Sequence, residues 1–172
     1  MAKIEAVLDA GPLIHLAELD ALDALDDLIL RIPNTVWEEV ANRQPRALEY
    51  LRDRLHRVSV KPSTELQTLA QALSLDRGEV EALSLMEIYP SAWFLTDDAA
   101  ARLAAEQRGY PTHETIGLLI RMVRCKRRTP QQILDLLRAI PKRSTLYIRL
   151  DLLNAIIQRL EQEWLQNTPR NE

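Results

Sequence analysis

The chain has 172 residues, 47% of them apolar and 27% charged, which fits one globular domain with its own core. Four glycines argue against a loop-rich or all-β design, and a single cysteine, Cys125, excludes a disulfide framework or a cysteine-based zinc site. A net charge of −3 gives no global nucleic-acid signal, no run reaches the roughly 18 apolar residues of a membrane span, and the N-terminus carries no targeting pattern, so a cytoplasmic protein is expected.

In chain order, 3–8 (KIEAVL) reads as a short strand ended by Asp9. A helix follows from Gly11 to about Ile29, with leucines 13, 16, 19, 22 and 25 at helical spacing and Pro12 in the first turn. The segment 28–33 is a second strand stopped by Pro33; 34–43 and 46–55 are helical. A third strand lies at 56–60, then helices at 64–74 and 76–89. AWFLT (92–96) is the fourth strand, 98–108 its helix, and YPTH a short fifth strand. Beyond 113 the pattern is helical: 114–124, 130–139 and 145–165. Strands alternating with helices imply an α/β fold, a parallel sheet covered on both faces. The expected domain is 1–166, with 113–166 as its helical C-terminal part and 167–172 as a frayed tail.

In open parallel sheets, ligands bind beyond the carboxyl ends of the strands. Asp9 ends the first strand, and Asp97 and Asp98 end the fourth. All three also suit turns or helix caps. Glu79 is followed at i+3, i+4 and i+7 by Ala82, Leu83 and Met86, which puts it on an apolar stripe; Glu81 is rotated about 160–200° away. A carboxylate on a core face is costly unless paired or metal-bound. Glu39 flanks the inward face set by Val36, Trp37 and Val40, and Glu38 is nearly opposite. Acids crowded at one end of a sheet repel unless they bind a cation, and oxygen donors without Cys or His suit Mg²⁺ or Mn²⁺. His15 reads as packed or hydrogen-bonded.

LDAGPLIHL, IPNTVWEEV, LDRGEVEALSL and FLTDDAAARLAAEQRGYP, in that order, resemble the four motifs of the PIN domain, a family of metal-dependent nucleases that includes the VapC-like ribonuclease toxins. The C-terminal part is similar to an uncharacterised prokaryotic subgroup. The resemblance implies a three-layer α/β/α sandwich around about five parallel strands. It also implies an endoribonuclease, the toxin of a type II toxin–antitoxin pair. Asp9, Glu39, Glu79 and Asp98 would hold the metal, Asp97 would hold a second ion or orient the nucleophile, and Thr96 would support them. Ala10 stands where many relatives have Ser or Thr, and Glu79 where many have Asp.

Basic residues must hold the phosphates near an acidic pocket. The candidates are Arg121, Arg124, Lys126, Arg127 and Arg128, with Lys142, Arg143 and Arg149. In the C-terminal helix, 152, 153, 156, 157 and 160 form a stripe for the sheet domain. Ile148 and Trp164 lie off it and are expected to mark an interaction surface. A homodimer and a cognate antitoxin are the expected partners. The alternative is a PIN scaffold, weak or inactive in catalysis, that binds RNA or protein. A signalling receiver domain also gathers aspartates, but it needs adjacent acids after its first strand and an Asp after its third; LDAG and SVKP supply neither.

Overall fold

The computed structural model describes residues 3–166, so the tail expected at 167–172 lies outside the described residues. Five strands form one parallel sheet: β1 (Ile4–Leu8), β2 (Leu28–Pro33), β3 (Leu55–Val58), β4 (Trp93–Leu95) and β5 (Thr112–His113). Their order is β3-β2-β1-β4-β5. The order doubles back after β3, so β1 lies between β2 and β4, and Leu8 pairs with Leu95. That places the residues following both strands, Asp9 and Thr96, side by side.

Side chains alternate across each strand. Ala6 and Leu8 enter one core cluster while Val7 enters the other. The first cluster is covered by α1 (Ala10–Glu18), α2 (Asn34–Arg43), α3 (Pro45–Leu51), α7 (Thr115–Arg124), α8 (Pro130–Arg143) and α9 (Leu150–Leu165). The second is covered by α4 (Thr64–Leu73), α5 (Arg77–Ile88) and α6 (Ala99–Gln107). The result is the expected α/β/α sandwich.

Three expectations change. The helix drawn to residue 29 stops at Glu18: Asp20 is left-handed (φ 53°), Ala21 donates its N–H to the Leu16 carbonyl, and a 3-10 turn, Leu22–Leu25, leads into β2. The final helix begins at Leu150, and 144–149 is not helical. Ile148 and Trp164 pack against the first core cluster, so they are not an exposed surface. Within α9, Leu153, Ile157 and Leu160 are buried as the stripe requires, while Leu152 is exposed.

Candidate functional site

A cavity of about 850 Å³ opens beyond the carboxyl ends of β1 and β4. Seven carboxylates line it: Asp9, Glu39, Asp76, Glu79, Asp97, Asp98 and Glu114, the last paired with Arg102. The five acids singled out from sequence therefore line one cavity, with Asp76 and Glu114 added.

Helix starts hold most of these groups. Asp9 caps α1, accepting the Ala10 N–H at 2.8 Å on Oδ1, and its Oδ2 accepts the Thr96 hydroxyl at 2.8 Å. Thr96, fully buried, thus supports Asp9 from the neighbouring strand. Asp98 caps α6 through the Ala101 N–H, and the Asp98 N–H donates to the Thr96 hydroxyl. Asp76 and Glu79 form the capping box of α5, each accepting the other's N–H at 2.8 Å. Such ends attract negative charge through free N–H groups and the helix dipole. Glu39 faces the cavity beside its i+4 partner Arg43, while Glu38 turns out toward Arg57.

Asp97 is held differently. Its Oδ1 accepts the Thr115 N–H at 2.8 Å, and its Oδ2 meets the Thr115 hydroxyl at 2.6 Å and His15 Nδ1 at 2.7 Å. Both oxygens are occupied, so Asp97 joins β4 to the start of α7 and orients His15 in the cavity wall. His15 is therefore hydrogen-bonded, as its sequence reading implies.

Burial pushes the Asp9 carboxyl up to about 7, opposed by its two hydrogen bonds and aided by the charges of Asp76 and Glu39. Desolvation also raises Glu79 to about 7, with Asp76, Asp9 and Asp98 adding to it. These groups sense one another's charge, the situation a cation relieves. The donor set is all oxygen, which suits a hard divalent ion. Among the described residues, no three Asp, Glu, His or Cys side chains are already gathered closely enough to grip one ion. Asp9, Asp76, Glu79, Asp97 and Asp98 each accept a backbone N–H instead, and Glu39 pairs with Arg43.

Glu81, expected to lie well away from the buried stripe that carries Glu79, is itself buried. Glu81 is only 5% exposed and accepts from the Thr35 N–H (3.0 Å), the Thr35 hydroxyl (2.8 Å) and Arg77 Nε (3.0 Å). Helix α2 follows Pro33, which provides no side-chain cap, so Glu81 caps it from a neighbouring helix.

The basic segment 121–128 does not line the cavity. Arg121 pairs with Asp27, Arg127 with Asp26 and Asp27, and Arg128 with Asp23. The cations that do line it are Arg43, Arg102 and Arg149; only Arg149 was a sequence candidate, and Arg43 and Arg102 were not singled out. Asp76 and Glu114 were missed as well, although D-x-x-E at a helix start, as at Asp76, is a capping-box signature.

Comparison with curated proteins and with solved structures found no match. The family whose model matches is described as a PIN domain, and the match runs over residues 5–162, which include every residue lining the cavity. The chain belongs to the PIN-domain family.

Proposed function

We propose that this chain is an Mg²⁺-dependent endoribonuclease, the toxin of a type II toxin–antitoxin pair acting in the cytoplasm. PIN domains are typically metal-dependent nucleases that bind nucleic acid. Among the described residues no helix is long and apolar enough to cross a membrane. The observation that carries the reading is the acidic cavity, where Asp9 and Glu79 are raised to about 7 by burial and by their neighbours' charges.

Asp9, Glu39, Glu79 and Asp98 would hold Mg²⁺ or Mn²⁺. When bound, such an ion supplies Lewis-acid polarisation of a phosphodiester and lowers the pKa of coordinated water. Thr96 donates its hydroxyl to Oδ2 of Asp9 and so holds that carboxylate's orientation. Asp97 acts as a positioning residue, keeping His15 and the α7 start in the wall. Arg43, Arg102 and Arg149 offset the acidic charge that repels RNA.

The test is cleavage of mixed RNA in Mg²⁺, repeated with EDTA. Cleavage that disappears on chelation supports the enzyme; no cleavage at any metal concentration overturns it. Expression in a bacterial host should arrest growth, and Asp9→Asn should relieve the arrest. The second reading, a binding scaffold without activity, is favoured by one observation: the acids are not gathered round a single point among the described residues.

A further inference from the structure

Residues 144–149 link α8 to α9 and cross the rim of the acidic cavity; Thr145, Leu146, Tyr147, Ile148 and Arg149 all line it. Exposure alternates along the segment: Ser144, Leu146 and Ile148 are partly buried, and Thr145, Tyr147 and Arg149 are exposed. Its end residues are extended, Ser144 at φ −124°, ψ 148° and Arg149 at φ −61°, ψ 134°. This is the period of an extended chain with one face anchored. Leu146 and Ile148 pack on the core cluster. Thr145 is pinned by Glu18, which accepts both its N–H (2.9 Å) and its hydroxyl (2.7 Å), and by Arg43. The strap is therefore tied down, and its outward set is presented from a fixed backbone.

The outward set consists of a ring and a cation. Tyr147 is 87% exposed, and none of the described hydrogen bonds or ion pairs involves it. Among the described residues Arg149 pairs only with Asp151, both well exposed, and an exposed pair of this kind is easily exchanged for a phosphate.

We infer that the strap is the strand-positioning element of the nuclease site, with Tyr147 stacking an unpaired base and Arg149 meeting an adjacent phosphate. The inference rests on the nuclease reading above. A phosphodiester seated at the carboxylates leaves its flanking nucleotide at the cavity rim, where Tyr147 stands. Stacking requires a free base face, which an unpaired nucleotide offers and a duplex interior does not. Leu146 and Ile148, packed on the core, fix the backbone that carries Tyr147 at the cavity lining, so stacking there selects which bond reaches the acids.

The test measures binding of a labelled oligoribonucleotide of about ten residues, alone and annealed to its complement. The intact chain is used, with Ca²⁺ replacing Mg²⁺ to keep the acids neutralised, and KM and kcat are measured separately in Mg²⁺. Tyr147→Ala and Tyr147→Leu should each weaken single-strand binding roughly tenfold and raise KM with little change in kcat. Tyr147→Phe should retain wild-type values, since the ring and not the hydroxyl is used. Arg149→Gln should flatten the slope of log affinity against log salt by about 0.7. The ring is exposed, so all four variants should unfold at the wild-type temperature.

A chain that cleaves RNA but whose Tyr147→Ala variant binds and cleaves as the wild type overturns the strap's role alone, and leaves the exposed Tyr147, Leu150 and Leu152 to a protein partner. Equal affinity for the duplex also overturns it. A wild-type chain that neither binds nor cleaves RNA overturns the strap and the nuclease reading together.

Discussion

Replacing Asp9 by Asn separates the electrostatic cost of the site from its use. In the metal-free protein, burial raises the Asp9 carboxyl from 3.8 to about 7, with Asp76 and Glu39 adding repulsion. The folded state therefore binds this proton more tightly than the unfolded chain. Below about pH 3.8 the carboxyl is protonated in both states and costs nothing. As pH rises toward 7 that advantage is lost, and above 7 the folded protein carries the full penalty. The separation between 3.8 and about 7 corresponds to about 4 kcal/mol. Side-chain relaxation and water entry reduce such penalties, so about 2 kcal/mol is expected. Asn keeps the contacts, accepting the Ala10 N–H through its oxygen and donating its amide to the Thr96 hydroxyl, but it never ionises. Thermal unfolding in EDTA should show Asp9→Asn and wild type alike at pH 4. At pH 8 the variant should melt about 4–8 °C higher. Adding Mg²⁺ at pH 8 should raise the wild-type melting temperature and not the variant's, and cleavage should be lost. A stability difference that does not change between pH 4 and pH 8, or a variant less stable at pH 8, would refute the reasoning.

Glu81→Ala leaves the half-buried Thr35 N–H and hydroxyl without their acceptor and should cost about 2 kcal/mol in urea unfolding; a loss below about 0.5 kcal/mol, the ordinary size of a surface substitution, would contradict its capping role. Glu39→Gln and Glu79→Gln should impair cleavage while Glu38→Gln does not, and equal initial rates for the 38 and 39 variants would remove Glu39 from the site. In EDTA at pH 8 Glu79→Gln should melt above wild type, because it removes a carboxylate that burial disfavours while its amide oxygen still accepts the Asp76 N–H; a lower melting temperature there would contradict this. Light scattering at micromolar concentration should report a homodimer, and a monomer mass that persists as concentration rises would rule it out.

Sequence alone determined what depends on neighbours along the chain. The strands announce themselves as short apolar runs, and β1 and β4 each end in carboxylates that cap the next helix within three residues. Glu39 was separable from Glu38 because α2 has one buried face, set by Val36 and Val40. The same argument failed for Glu81, since α5 packs against β1, β2, α2, α4 and α6 and buries nearly every position from Gly78 to Met86. A helix enclosed on all sides has no outward face for a periodicity to find. The strap was hidden for a related reason. Leu146, Leu150, Leu153 and Ile157 follow helical spacing, whereas the buried alternation of Leu146 and Ile148 has meaning only once the core beneath them is in place. Tertiary structure also decided the charges: Arg121, Arg127 and Arg128 meet Asp23, Asp26 and Asp27, roughly a hundred residues earlier. Whether β1 and β4 were neighbours was likewise a matter of strand order. Local chemistry put the carboxylates at the ends of strands, and the doubling back of the sheet after β3 put those ends together.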